Sequence, residues 1–203
     1  MKSSTFTVRD WIYVGVFGAL WGALELTLGT YLHLIFPPVA DTFLTGVIMA
    51  GLGAAISLVG RSFVPRTGAV FGIGVVTALI KALSAGGVVA SVMIAILAEA
   101  ALMELALLGA ATGNRWRYTL AGSLAVSWNF FHKFVMTRIM YGQGVDKVYA
   151  KMVQDGSKFL GIGLAYAVLI IVILFLLRII AGAIAGWLAW DLARLVRRRL
   201  ASE

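Results

Sequence analysis

The chain has no cysteine, only three prolines and two histidines in 203 residues, and charged side chains make up just 13% of it. Without cysteine there is no disulfide framework, thiolate metal site, iron–sulfur cluster or cysteine nucleophile. Two histidines, His33 and His132, are too few for a multi-histidine metal or haem site. Motifs of covalent chemistry are missing too: no phosphate-binding Gly-rich loop with its Lys and Ser or Thr, no His-Glu-x-x-His helix, no nucleophile elbow. Gly72-Ile73-Gly74 lies inside an apolar stretch without the strand context of a dinucleotide site. It reads as packing, and the chain is not expected to be an enzyme or to carry a metal or cofactor.

What the sequence has in abundance is apolar surface. Hydrophobic residues reach 61% and the mean hydropathy is +0.96, against about 45–50% apolar residues in soluble domains. At about 20 residues per spanning helix, the chain has room for about five to seven spans and none for a separate soluble domain. The net charge of +8 then records membrane orientation and contact with anionic lipid, not nucleic acid.

The apolar stretches predict an all-α bundle forming a single domain over residues 1–203, with spans at about 11–35, 42–60, 68–83, 88–111, 118–140 and 159–190. The first is too long for a signal-peptide core of about 7–15 residues and is expected to stay. Pro37-Pro38, Pro65, Ser84 to Gly87 and Gly113 to Arg117 supply the breaks. Lys81 is expected to snorkel, and Tyr141 to Ser157 to form the one long hydrophilic loop. Phe159 to Leu177 is 19 residues without a charge, so one long tilted helix is expected, passing Arg178 near its inner part and ending in a basic extension to Arg199. Lys2, Arg9, Arg61, Arg66, Arg115, Arg117, Arg194 and Arg197 to Arg199 fall on one side of this arrangement. Lys81, Lys147, Lys151 and Lys158 fall on the other, and ten against four predicts cytoplasmic termini and a multi-pass protein of a prokaryotic cytoplasmic membrane.

Ionisable groups inside the bilayer are costly unless they pair or reach water, and so mark functional candidates. Glu25, Glu99, Asn129, His132 and Lys133 all fall within eleven residues of the outer ends of their spans, where they can meet. Glu99 with Lys133 makes a neutralising pair, and Trp128, Asn129 and His132 supply a stacking surface and hydrogen bonds. The plainer alternatives are that Glu25 is a paired structural carboxylate, Glu104 is structural or faces a partner, and His33 is an interfacial residue. Arg178 is expected to snorkel or bind a lipid phosphate, away from this cluster. Small residues at four-residue spacing, Gly15, Ala19 and Ala23 beside Gly18 and Gly22, and Ala181, Ala185 and Ala189 beside Gly182 and Gly186, fit internal helix packing or a docking face.

The run from Gly15 to Glu25, GVFGALWGALE, resembles the first helix of the substrate-binding S components of energy-coupling factor (ECF) transporters. In that family an Ala-x-x-x-Ala pattern, matched here by Ala19 and Ala23, faces the coupling protein; chain length and span arrangement are also similar. The resemblance implies a high-affinity binder of a vitamin or cofactor precursor without an ATPase of its own. Its partners would be a transmembrane T component and two ATPase subunits, docked on Gly15, Ala19 and Ala23. It also implies an external substrate site, the region that holds Glu99, Trp128, Asn129, His132 and Lys133. That set suits a flat, nitrogen-rich ring, a thiamine or pyrimidine-like ligand first, and next a carboxylate-bearing vitamin that uses Lys133 or Arg138. The long basic last helix departs from the family pattern. A noncatalytic scaffold or assembly subunit of a larger membrane complex is the alternative.

Overall fold

The computed structural model describes residues 5–36, 38–84, 89–109, 114–142 and 144–200. They form seven α-helices: α1 Val8–Ile35, α2 Pro38–Phe63, α3 Ala69–Ala82, α4 Val89–Ala106, α5 Arg115–Tyr141, α6 Val145–Leu160 and α7 Ala167–Leu200, the last preceded by a 3-10 turn at Leu164–Tyr166. No strand occurs among the described residues. Three segments, Val8–Gly29, Phe43–Phe63 and Leu164–Leu200, are long and apolar enough to cross a membrane. The short α3, 14 residues or about 21 Å at 1.5 Å per residue, packs against α1 and α4, while α5 lies against α4 and α7. The expected breaks at 85–87 and 113, Pro37 and the basic residue Lys2 fall outside the described residues.

Local chemistry sets the helix starts. Thr7 and Asp10 form a capping box at α1, Asp10 N–H donating to Thr7 Oγ1 at 3.2 Å and Thr7 N–H to Asp10 Oδ2 at 2.8 Å, which satisfies two otherwise orphaned donors. Pro38 opens α2, where its missing N–H costs nothing. Asn114 caps α5 by accepting from the Arg117 N–H at 3.1 Å.

Two expectations are corrected. The supposed loop from Tyr141 to Ser157 is mostly the helix α6: Met152, Val153 and Gly156 are buried while Lys147, Lys151, Gln154 and Lys158 are exposed. Apolar and polar residues alternate at helical spacing, so the average polarity of the stretch resembles a loop while one face is apolar. The last helix starts at Ala167, not near Phe159, because Gly161, at φ 68°, ends α6 in a left-handed conformation that glycine adopts without strain. From there α7 runs unbroken through Arg178 to Leu200, the one long helix expected.

The small-residue stripes divide between inside and outside. On α7, a β-carbon at Gly182 would collide with the Gly122 carbonyl and lie 2.7 Å from Ser123 Cα, and one at Gly186 would strike the Tyr118 carbonyl. On α1, Gly18 and Gly22 take Val76 and Ile80 of α3. Gly15 has open space around it, and Ala19 and Ala23 are exposed. One hydrophobic core, around Trp21, Leu58, Ile73 and Met103, joins α1 to α4. A second, of Phe43, Phe130, Met152, Val153, Ile170 and Leu174, lies where α6 covers α2, α5 and α7.

Glycine at the α5–α7 seam is therefore required by shape. Gly182→Val is expected to destabilise the bundle by about 3 kcal/mol through overpacking, whereas Gly15→Val changes stability by no more than about 0.5 kcal/mol. Thermal unfolding of the detergent-solubilised variants, followed by size-exclusion chromatography, measures the difference.

Candidate functional site

The charged groups at the end of the bundle that carries the termini fasten the fold. Glu104, near the end of α4, accepts from the backbone N–H groups of Gly68, Val70 and Phe71 at 2.7, 2.9 and 3.3 Å, holding the start of α3 as an N-terminal anion does. Arg66 pairs with Asp10 at 2.8 Å and Arg115 with Asp191. Of the two readings weighed for Glu104, the structural one describes these contacts. A groove of about 530 Å³ between α2 and α7 near this end is almost wholly apolar and gathers no polar groups except Asp191 at its edge.

Toward the opposite end the polar groups lie deep in the bundle. Glu25 lies ten residues before Ile35, Glu99 ten after Val89, His132 nine before Tyr141 and Arg178 eleven after Ala167. At about 1.5 Å per residue, each lies roughly 14–17 Å from the end of its own helix, but the helix ends are staggered: His132 meets Ser91, eight residues before Glu99 on α4. Glu25, Glu99 and His132 are 8%, 4% and 8% exposed, and the two carboxyl groups are near enough to interact electrostatically. Lys81 does not simply snorkel: its ammonium donates to the Glu25 backbone carbonyl at 3.2 Å, tying α3 to α1 beside the carboxylates.

Three neighbouring positions on α5 serve three different helices. His132 Nε2 hydrogen-bonds Ser91 of α4 at 3.0 Å, with the Trp128 ring centroid 6.3 Å from its own. Asn129 faces α2, so close that a β-carbon on Gly46 would lie 2.5 Å from its Oδ1. Phe130 turns toward Phe175 of α7 and the Arg178 guanidinium. Trp128 Nε1 and His132 Nδ1 are buried without a hydrogen-bond partner. The expected proximity of Glu25 and Glu99, and of Trp128 and His132, is thus present, while Asn129 faces a different helix. The side chains of Lys133 and His33 lie outside the described residues, and with them the expected Glu99–Lys133 pair.

Sequence reasoning missed Arg178. Starting α7 at Ala167 lifts this residue from the inner part of a helix counted from Phe159 to the bundle interior beside Phe43 and Phe130. It neither snorkels nor reaches lipid: it is 2% exposed, and its Nη1 donates to the Leu174 carbonyl at 2.9 Å. The signal that could have placed it is the Gly161-x-Gly163 pair, a helix stop inside the charge-free run.

Buried carboxyls, an amide, an imidazole and two aromatic rings can recognise a small polar molecule by hydrogen bonds and stacking. Among the described residues no three of His, Asp and Glu converge to hold a metal ion. Residues 8–195 match the family described as hypothetical bacterial integral membrane protein (Trep_Strep). The chain belongs to this family. It is therefore a bacterial integral membrane protein, and the match runs from the first residue of α1 through most of α7. No curated protein and no solved structure shows a significant match to this Trep_Strep chain.

The Glu104 contacts generate a prediction that separates scaffold from site. Glu104→Ala leaves the N–H groups at the start of α3 without their acceptor and is expected to cost about 2–3 kcal/mol. Chemical denaturation monitored by tryptophan fluorescence reads it, with Asp191→Ala, at an exposed ion pair, as a control expected to change stability by less than about 1 kcal/mol.

Proposed function

We propose that this chain is the substrate-binding S component of an ECF-type importer, which captures a vitamin or cofactor precursor on the external side of the membrane. The observation that carries the reading is a set of polar groups inside a chain that is 61% hydrophobic: Glu25, Glu99 and His132, which are buried, and Trp128 and Asn129, which are half-buried. Their cost in a bilayer is repaid by binding a polar ligand. A pyrimidine-like ring, as in thiamine, fits a site that offers carboxyl groups, an amide, an imidazole and an indole. Transport then depends on a T component and two ATPase subunits, and these 203 residues hold no phosphate-binding Gly-rich loop. The outward-facing Gly15, Ala19 and Ala23 offer a close-approach surface for such a partner. That same stripe favours the second reading, a scaffold subunit, which needs the surface and no ligand.

Two sets of variants separate these readings. Glu99→Ala and Asn129→Ala are expected to weaken thiamine binding by about tenfold or more, measured by calorimetry, and to leave partner capture unchanged. Ala19→Leu and Ala23→Leu should do the reverse, abolishing co-purification with the T component and sparing binding. Loss of partner capture with no vitamin bound by any variant supports the scaffold.

In this reading the termini lie in the cytoplasm and α6 at the external surface, following the distribution of basic residues. The absence of native cysteine makes the orientation testable on intact cells. Lys151→Cys in α6 should react with an impermeant maleimide directly, and Arg197→Cys at the end of α7 only after permeabilisation. The opposite pattern inverts the topology.

A further inference from the structure

Arg178 is among the largest fully buried side chains of the described residues, and its surroundings are unusual. The side chain is 2% exposed, and its Nε and Nη2 are buried with no hydrogen-bond partner. Nη1 alone is engaged, by the Leu174 carbonyl one turn earlier on α7. Among the described residues no carboxylate pairs with it. Phenyl rings flank it instead, Phe130 of α5 at 5.4 Å and Phe43 of α2 at 5.9 Å from ring centroid to guanidinium carbon. Met152 and Val153 of α6 belong to the same apolar cluster, and they separate this region from the end of the bundle.

A buried cation without a counter-charge is expensive and is retained where it pairs with something. Leucine or methionine would fill the same volume without that penalty. The two free nitrogens, Nε and Nη2, are one edge of the guanidinium fork, the edge that receives a carboxylate or phosphate in a bidentate pair. Flanking rings keep water out and hold the fork in its plane by cation–π attraction. The position also connects with the polar cluster. Phe43 is three residues before Gly46, on which Asn129 rests, and Phe130 follows Asn129 directly. A ligand held at Asn129 therefore has the Arg178 fork within the same α2–α5–α7 junction.

We propose that Arg178 is the anion-recognition residue of this site, and that the ligand carries an oxyanion, a carboxylate or a phosphate ester, beside a ring recognised at Asn129. This inference rests on the proposed substrate-binding role and narrows its ligand to an acidic derivative of the ring, which binds more tightly than thiamine, a cation without an oxyanion. A free lipid headgroup is not the occupant, because Arg178 is only 2% exposed.

The test measures thermal stability of the full chain in neutral phosphatidylcholine nanodiscs, titrated with benzoate and phenyl phosphate and with their neutral counterparts benzamide and phenol. The expected result is saturable stabilisation by one or both acids and not by the neutral molecules, the responding acid identifying carboxylate or phosphate as the source. Arg178→Met should fold with wild-type or greater stability and lose the acid response by about tenfold or more. Arg178→Lys, which keeps the charge but not the fork, should retain a weakened response and serves if the methionine variant fails to fold. Absence of saturable stabilisation by either acid, or an equal response from the neutral molecules, overturns the proposal. So does an unchanged acid response in Arg178→Met, or stabilisation only by phosphatidylglycerol in the discs. Glu99→Ala, assayed with thiamine in parallel, distinguishes the two failures. A thiamine response lost in Glu99→Ala but no acid response leaves the importer reading standing without Arg178, and silence in both arms removes both.

Discussion

The arrangement depends on how closely α5 and α7 approach. Gly122, Gly182 and Gly186 bring the two backbones together where no β-carbon fits, and Ser123 Oγ adds a hydrogen bond to the Ile179 carbonyl at 3.2 Å. Close backbone contact of this kind is how helices associate where lipid and side chains are equally apolar. Because Gly182 is one turn beyond Arg178, fixing the seam also fixes which way Arg178 points: inward, between Phe43 and Phe130. A rotation of α7 by a third of a turn would put the guanidinium against lipid and the isoleucines into the seam.

Charge is treated in opposite ways at the two ends. Near the termini, Asp10, Arg66, Glu104, Arg115 and Asp191 meet backbone donors or opposite charges, and the energy of those contacts goes into holding helix starts in place. Toward the other end, among the described residues, Trp128, His132 and Arg178 keep buried polar atoms without partners, as Arg115 Nε does near the termini. An unfilled polar atom in an apolar interior lowers stability.

Much of this was legible in the sequence, for reasons that also explain what was not. The bilayer demands long apolar stretches, so α1, α2 and α7 stand out in composition, and a fixed rise per residue sets how far Glu25, Glu99 and His132 lie from their own helix ends; the stagger of those ends, which puts His132 beside Ser91 and not beside Glu99, was not legible. Periodicity hid α6, whose alternating faces average to the polarity of a loop. The eight-residue shift of the helix start from Phe159 to Ala167 was hidden because Gly161 and Gly163 interrupt the helix without interrupting its hydrophobicity, and that shift alone misplaced Arg178. The partners of Glu104 were beyond sequence reasoning altogether: they are backbone N–H groups, which every residue but proline has.

The length of α7 has a mechanical consequence. Its 34 residues make a continuous rod of about 51 Å, well beyond the roughly 30 Å of a hydrocarbon core. With no proline or glycine break past the seam to act as a joint, the rod cannot shorten, and the bundle accommodates the excess by inclination or by projecting its arginine-rich tip beyond the bilayer. Either way the two ends of α7 move as one body: a change in inclination set by whatever rests against the Arg178 level is carried, without loss, to the position of Arg197 to Arg199 on the far side.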